Sequence, residues 1–240
     1  EALEKQGSFL FRYRSHLPLL LLVCGLLVRY LEGARSVKLT TILELVALVV
    51  GLLGLAVRSH VIGYAPRYTS GRNTSDGQVA GRLTTDGWYS VVRNPLYLGN
   101  YLMWLAPAIL TGNVYFVLLF TTIFFLYYER IIFAEEVHLR TKFGPEYDTW
   151  ALQTPMLIPG GLPGLPSDRS FNVRKVVRQE INGLLALAVT FLLFSFLDRT
   201  LIEQRVAEPG TFAVVFGTAA IALFFFVRAL RTWSPAMRKA

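Results

Sequence analysis

Six apolar runs of 15 to 20 residues limit the folds open to this 240-residue chain. A helix needs about 20 mostly apolar residues to cross a bilayer, with about 17 as the lower bound. Only 17% of the residues are charged, whereas soluble domains average about a quarter. We therefore predict an all-α, polytopic integral membrane protein with about six transmembrane helices, five being possible. The candidate spans are Leu17–Leu31, Leu39–Val57, Pro95–Thr111, Val114–Phe133, Ile181–Leu197 and Thr211–Val227.

The distribution of Lys and Arg predicts the orientation, because these residues are enriched in cytoplasmic loops. With six spans and a cytoplasmic N-terminus, 19 of the 24 cations fall on the cytoplasmic side. Five spans would give a weaker split of 15 to 9. We expect both termini in the cytoplasm, in a bacterial inner membrane or the endoplasmic reticulum. The net charge of +8 then indicates a membrane surface, and we expect no nucleic-acid partner.

Local composition predicts three regions. Residues 1–159 form a membrane core, 160–180 a Pro/Gly linker with a basic interfacial segment, and 181–240 a transmembrane hairpin and tail. Because the chain begins at Glu1, we expect a fragment or a processed protein, and its first apolar run lacks a signal-peptide cleavage pattern. One cysteine and three histidines do not make a Cys/His zinc site of usual spacing, so we expect no metal. Intramembrane Arg29 and Glu44 are expected to pair, since isolated charges in lipid are costly.

Two long polar segments fall on the same predicted side of the membrane, where long loops usually carry function. The first, residues 58–94, leads into Asn94 and Pro95, which are typical of a helix N-cap and first turn. It has several glycines but lacks the strand and GxGxxG turn of a Rossmann-type cofactor site. The helix start would place free N–H groups and a partial positive charge at the membrane edge.

The second polar segment runs from Glu129 to Glu180. It begins with four charges within eight residues, at the end of an otherwise uncharged span. Such charges are expensive in a membrane unless they are paired or functional. The pattern predicts a helix that leaves the membrane and breaks at Gly144 and Pro145. If the two polar segments meet, they form a site at the cytoplasmic mouth of the third and fourth spans.

Three motifs in these segments together resemble the isoprenylcysteine carboxyl methyltransferase and phospholipid methyltransferase family. The family pattern R-H-P-x-Y-x-G is similar to residues 93–99, with Asn94 in place of His. The pattern E-E-x-x-L-x-x-x-F-G-x-x-Y matches residues 135–147, and a Pro-x-x-x-Pro stretch matches Pro155 to Pro159. The resemblance covers residues 83–159. It implies a polytopic methyltransferase that uses S-adenosylmethionine at a cytoplasmic-side site.

The family pattern also implies roles for individual residues. In the cofactor pocket, Glu135 would bind the amino group or the ribose, and aromatic faces would hold the sulfonium. The cofactor-binding candidates are Leu83, Thr84, Tyr89, Asn94, Pro95, Leu96, Tyr97 and Glu135. The catalytic candidates are Arg93, Arg130 and Glu136.

The arginines of the site suggest an anionic acceptor, since guanidinium groups bind phosphate and carboxylate well. The substrate-binding candidates are Arg67, Arg72, Arg82 and Arg130. We expect methyl transfer to a membrane-embedded lipid phosphate, such as that of lipid A, or to a prenylated carboxylate. An acceptor that is already anionic needs no strong base, which agrees with Asn94, a residue that does not titrate near neutral pH.

Three alternatives stay open. One is N-methylation of a phosphatidylethanolamine-type lipid. A second is a lipid-handling or transport protein on the same scaffold without chemistry, because Asn94 and Met156 depart from the family's usual His and Arg. A third is a sterol-type reductase, although we find no residues that select the 2′-phosphate of NADPH. The C-terminal hairpin is expected to cover one side of the acceptor cleft.

Overall fold

The computed structural model describes residues 2–13, 17–65, 73–74, 77–78, 83–164 and 169–233. These ranges contain eight α-helices, and the predicted all-α fold class is confirmed. Strands β1 (Asn73–Thr74) and β2 (Gly77–Gln78) form a short antiparallel pair, and Gly87–Ser90 form a 3₁₀ turn. Helices α1 to α8 are Ala2–Arg12, Leu17–Leu31, Val37–Tyr64, Pro95–Leu110, Val114–Phe143, Pro145–Gln153, Val173–Glu203 and Thr211–Trp233.

All six predicted spans are helical, but they differ in length. Among the described residues, α3, α5, α7 and α8 are long and apolar enough to cross a membrane. Helices α2 and α4 have 15 and 16 residues, which makes them about 22 to 24 Å long. They are therefore shorter than the hydrocarbon core of a bilayer, which is about 30 Å thick. The chain is a polytopic integral membrane protein, and its described residues form four apolar helices of full membrane-spanning length and two shorter ones.

Helices α3 and α4 pack most closely at a pair of glycines. A Cβ atom on Gly54 would lie 2.7 Å from the backbone oxygen of Gly99 and 2.7 Å from the backbone nitrogen of Met103. Small residues let the backbones of membrane helices approach in this way. The contact fixes α4 against α3 and so positions the start of α4, where the first motif lies.

An aromatic row connects α4 to α5. The ring centroids of Tyr101 and Phe124 are 5.2 Å apart, and those of Phe124 and Tyr128 are 4.2 Å apart. Tyr128 in turn lies 4.7 Å from the ring of Tyr97. Phe124 and Tyr128 are buried. The row holds the motif-bearing ends of the two helices side by side. We call this end of the bundle, with Tyr64, Pro95 and Phe143, the motif end.

A buried ion cluster lies at the opposite end of the bundle, which we call the far end. Asp198 of α7 accepts hydrogen bonds from Arg29 (2.5 Å) and Arg35 (2.7 Å), and both Arg29 and Asp198 are buried. Arg35 also donates to the backbone oxygens of Leu110 and Thr111 at the end of α4. The predicted pairing of Arg29 with Glu44 is wrong. Arg29 binds Asp198, because the tertiary fold brings the end of α7 against α2.

Helix α7 is longer than the sequence predicted. It begins at Val173 and runs without a break to Glu203, so the basic segment and the first span of the hairpin are one helix. The proposed domain boundary at residue 180 lies inside it, and the division stays a prediction. The start of α7 docks on the end of α3. The Asn172 backbone N–H donates to Gly63 (3.0 Å), and Lys175 donates to the Ala65 carbonyl (2.8 Å).

Candidate functional site

Arg93 joins the three sequence motifs. Its guanidinium donates to the two carboxylate oxygens of Glu136 at 2.8 and 3.4 Å. It also donates to the backbone oxygens of Ala151 (2.7 Å) and Thr154 (2.9 Å). The side chains of Arg93 and Glu136 are each 16% exposed. The two polar segments therefore meet at the motif end.

Backbone hydrogen bonds fasten the same loops together. The Arg93 N–H donates to the Pro155 oxygen (2.8 Å), and the Gly160 N–H donates to the Val91 oxygen (2.9 Å). These bonds place the Pro-x-x-x-Pro segment beside the start of α4. The third motif is thus part of the hydrogen-bonded loops around the site, which we call the frame, as its position in the family pattern implies.

The break between α5 and α6 brings a further pair of aromatic residues to this frame. Gly144 has φ of +53° and ψ of −130°, a conformation that favours glycine. The predicted break at Gly144 and Pro145 is confirmed, and it turns α6 back toward the first motif. Trp150 then donates from Nε1 to the Tyr89 oxygen (2.9 Å). Tyr147 is fully buried, and burial, followed by the charge of Glu136, raises the pKa of its phenol.

Asn94 occupies the predicted N-cap position of α4, but its side chain does not cap the helix. The Asn94 Nδ2 group instead donates to the backbone oxygen of Met156 (3.1 Å). The cap prediction is therefore wrong for the side chain. The two positions that depart from the family pattern are in direct contact, and the amide joins the first motif to the third.

Glu135 and Tyr97 form the polar centre of the predicted cofactor pocket. The Tyr97 hydroxyl donates to Glu135 Oε2 (2.8 Å), and the ring of Tyr97 is fixed by Tyr128 at 4.7 Å. Burial, followed by the negative charge of Glu135, raises the pKa of Tyr89. The structure therefore brings Tyr89, Tyr97 and Glu135 together. Pro95 is buried as the first residue of α4, and Leu96 follows it half-buried.

Two further polar atoms near Tyr89 are buried without a partner. Among the described residues, Thr84 Oγ1 and Trp88 Nε1 are buried and have no hydrogen-bond partner. Both residues line a cavity of about 10 Å³ together with Tyr89 and His60, which is room for about one water molecule. Leu83 beside them is buried. Unsatisfied buried donors and acceptors are uncommon in native proteins and indicate a place where a ligand or water completes the bonding.

Arg130 lies on another face of α5. Its guanidinium donates to the Leu126 oxygen (2.6 Å). Arg130 also lines a groove between α5 and α1, together with Lys5 and Phe9 of α1. A Cβ atom on Gly7 would clash with the Arg130 backbone oxygen, so α1 packs directly on this turn of α5. The structure does not bring Arg130 into the Arg93 cluster. The other three substrate-binding candidates lie outside the described residues: Arg67, Arg72 and Arg82.

A second polar cluster at the motif end was not predicted. Arg58 of α3 donates to the two carboxylate oxygens of Glu180 at 2.8 and 2.6 Å. It also donates to Oδ1 of Asn100, and Glu180 is only 4% exposed. The available sequence signal was an acidic residue directly before an apolar run, since charges at such depth need partners.

Comparisons with known proteins find similarity in the part of the chain that carries the first motif and nearly all of the second. A sequence model of the phospholipid methyltransferase family matches residues 43–146. The protein-S-isoprenylcysteine O-methyltransferase of Schizosaccharomyces pombe is 33% identical over 84 residues, which cover 35% of this chain and 34% of that protein. No solved structure matches the chain.

Two bacterial relatives are similar over a longer stretch. They are the nickel-cobalt-cadmium resistance protein NccN of Alcaligenes xylosoxydans xylosoxydans and the cobalt-zinc-cadmium resistance protein CzcN of Cupriavidus metallidurans. Each is 30% identical over 112 residues, which cover 47% of this chain and 49% of the relative. The chain thus spans about a third to a half of the length of the curated relatives that it matches. Residues 43–146, which hold α4, α5 and most of α3, match the phospholipid methyltransferase family model, and the resemblance predicted from the motifs is confirmed over this segment.

Proposed function

We propose that this protein transfers a methyl group from S-adenosylmethionine to an anionic lipid acceptor held in the membrane. The observation that carries the proposal is the Tyr97–Glu135 pair at the start of α4, near the half-buried Tyr89. Tyr97 and Glu135 come from the first and second motifs, and Arg93 joins both to the third. We further propose that the motif end faces the cytoplasm, as the distribution of cations predicts.

The donor groups of the site fit S-adenosylmethionine. A carboxylate suits its ammonium or ribose hydroxyls, and the free N–H groups at the start of a helix suit its carboxylate. The unpartnered Thr84 Oγ1 and Trp88 Nε1 add an acceptor and two donors next to Tyr89. The cavity beside them holds about one water molecule, so we expect surrounding side chains to move when the cofactor binds.

The proposed chemistry needs alignment more than proton transfer. When bound, the cofactor would supply an electrophilic methyl group, which an oxygen lone pair of the acceptor would take while the electron pair of the broken carbon–sulfur bond stayed on sulfur. An anionic phosphate or carboxylate oxygen has no proton to lose. Asn94 is engaged with the Met156 carbonyl, and this structural role is compatible with a reaction that needs no base at that position.

We propose that Arg93 and Glu136, two of the predicted catalytic residues, act as positioning residues. They bind one another and the backbone of the 151–154 segment, so their hydrogen-bonding capacity is used within the frame. Their role would be to hold Glu135, the neighbour of Glu136, at a fixed distance from Tyr97. Alignment of this kind accounts for much of the rate of a displacement reaction.

Binding of S-adenosylmethionine to the purified, folded protein tests the proposal first. Isothermal titration should show binding by the unaltered protein, and Glu135→Gln should weaken it by about tenfold or more, because a charge-assisted hydrogen bond is lost. The matched control is Glu129→Gln, which removes an exposed carboxylate from the same helix and should leave binding unchanged. Folded protein that does not bind the cofactor would contradict the proposal.

Transfer of a labelled methyl group to extracted membrane lipids tests the reaction itself. Mass spectrometry should find a lipid that gains one methylene unit only when the protein and the cofactor are both present. Methylation of an amine headgroup would replace our acceptor by a phosphatidylethanolamine-type lipid. Cofactor binding without transfer to any lipid would support the alternative of a lipid-handling protein, for which the Asn94–Met156 contact is the motivating observation.

A further inference from the structure

The C-terminal hairpin, by which we mean helices α7 and α8, forms an apolar cleft with α4, a helix inside the segment that matches the family model. The cleft has a volume of about 170 Å³ and lies between α4 and α7. Its walls are mostly apolar, which suits a hydrocarbon chain. Helix α7 lies outside the segment that matches the family model, so this cleft is a feature that the family match does not explain. The lining residues are Asn100, Met103, Trp104 and Pro107 on α4, and Gly183, Ala186, Leu187 and Thr190 on α7.

Glycine at position 183 keeps part of this cleft open. A Cβ atom there would lie 3.0 Å from the terminal carbon of Met103, so a larger side chain would fill the space between the helices. Ala186, one turn further along α7, is exposed and lines the cleft with its small side chain. The cleft therefore opens toward the surface of the helix bundle that faces lipid.

A polar cavity lies directly beyond the cleft at the motif end. It has a volume of about 380 Å³ and is lined by Arg58, Arg178, Gln179, Glu180, Asn182 and Arg231. Arg58 lines both cavities, so the two are neighbours. The lining side chains carry three guanidinium groups and one carboxylate, which gives a formal charge of +2. The carboxylate of Glu180 forms an ion pair with Arg58.

The two cavities together have the form of a site for an amphiphile with an anionic headgroup. Guanidinium groups bind phosphate and carboxylate with good geometry, and the apolar cleft would receive the first part of the chain. Arg178 of α7 lines the polar cavity, and Arg231 of α8 donates a hydrogen bond to the backbone oxygen of Arg178. The hairpin thus holds two cations at one place instead of spreading them along the membrane surface.

We propose that the C-terminal hairpin binds the anionic lipid acceptor, with the headgroup at Arg178 and Arg231 and the chain against Gly183 and Ala186. Naming this lipid the acceptor rests on the proposed methyltransferase function. The binding site itself does not, so it is tested without the methyl donor.

Quenching of tryptophan fluorescence by a brominated lipid tests the site, because Trp104 lines the cleft. The probe is a lysophosphatidic acid with a dibrominated acyl chain, titrated against the full chain in nanodiscs of neutral phosphatidylcholine. The probe should quench saturably, and Trp104→Phe should remove most of the quenching. A monoacylglycerol with the same brominated chain is the uncharged comparison and should bind at least about tenfold more weakly.

Paired variants separate the site from general surface charge. Arg178→Gln and Arg231→Gln should each weaken probe binding about tenfold. Arg174→Gln is the matched control, since it removes an exposed arginine from the same helix. Ala186→Phe should block the chain, whereas Val189→Phe, which adds the same ring at an exposed position one turn away, should not.

The outcomes are distinct. If Arg174→Gln weakens binding as much as Arg178→Gln, or if Ala186→Phe has no effect, the proposed site is overturned. Equal binding of the uncharged probe overturns the anionic headgroup. Binding as expected without methyl transfer would keep the site and contradict the proposed function. If the protein transfers methyl groups but no variant affects probe binding, the proposed function stands and the hairpin is not the acceptor site. Ala186→Phe tests the site even if the arginine variants do not fold, because Ala186 is exposed.

Discussion

At the scale of single residues, Arg93 has the largest set of contacts that link separate motifs. It forms hydrogen bonds with Glu136 and with two backbone carbonyls, and its own N–H reaches Pro155. A planar guanidinium can serve several acceptors at once, whereas an ammonium cannot reproduce this fork. The identity of the residue, and not only its charge, therefore matters at this position.

We predict that Arg93→Lys destabilises the protein by about 2 kcal/mol, because part of a largely buried ion pair and its backbone hydrogen bonds is lost. The free energy of unfolding in a denaturing-detergent titration measures this. Arg140→Lys is the control, since its ion pair with Asp148 is about half exposed and should contribute less than about 1 kcal/mol. Equal effects of the two substitutions would show that Arg93 does not hold the motifs together.

The buried phenol of Tyr147 predicts a dependence of stability on alkaline pH. Its pKa in the folded protein is raised above the ordinary value of 10.0 by burial and by Glu136. The folded state thus favours the neutral phenol, and this contribution is complete below about pH 10 and is lost as the pH rises further. Tyr147→Phe should therefore reduce the loss of stability above about pH 10, measured by thermal unfolding.

The control for this pH dependence is Tyr115→Phe, which removes a phenol that is 79% exposed. Its removal serves as the comparison for the loss of a phenol that is not buried. If both variants keep the full alkaline loss of stability, the cause lies elsewhere in the protein.

At the scale of elements, the site depends on how closely α4 approaches α3. The first motif begins at the start of α4, and the Gly54–Gly99 contact sets the position of this helix. Because the two nearest atoms that oppose Gly54 are backbone atoms, they do not move aside as the end of a side chain would. The spacing of the two helices is therefore fixed by the absence of a side chain.

Gly54→Ala should destabilise the protein by about 1 to 3 kcal/mol, since overpacking of a close contact costs this much. The loss should appear although alanine favours a helix by about 1 kcal/mol. Gly183→Ala is the matched control, because its nearest neighbour is the flexible end of Met103 at 3.0 Å. Detergent unfolding of both variants gives the comparison, and an equally stable Gly54→Ala protein would contradict the proposed contact.

At the scale of the whole molecule, α7 is attached to other parts of the helix bundle at both of its ends. Glu180 binds Arg58 at the motif end, and Asp198 binds Arg29 and Arg35 at the far end. Breaking a buried ion pair leaves an uncompensated charge, which is strongly destabilising. The hairpin outside the family match is thus an integral part of the bundle.

Asp198→Asn should lower the free energy of unfolding by about 3 to 5 kcal/mol, because two arginines at the far end lose their shared carboxylate. Glu203→Gln provides the control in the same helix, since the ion pairs of Glu203 with Arg199 and Arg205 involve more exposed side chains. Its effect should stay below about 1 kcal/mol. Limited proteolysis should also cleave the hairpin faster in Asp198→Asn. A hairpin that is equally resistant in both variants would contradict the double attachment.

The six apolar helical segments and the break at Gly144 were predictable from the sequence, whereas it left open whether the two polar segments meet and did not predict α7 as one continuous helix. Apolar runs determine membrane helices because backbone groups in lipid find no partners outside the helix. Gly144 and Pro145 end one helix and begin the next through their own backbone conformations, which depend on local sequence alone. Partners distant in the chain were not predictable. Arg29 finds Asp198, Arg58 finds Glu180, and the amide of Asn94 turns to Met156. Only the tertiary structure decided these contacts, because a long polar side chain reaches whichever acceptor the packing of other helices brings near.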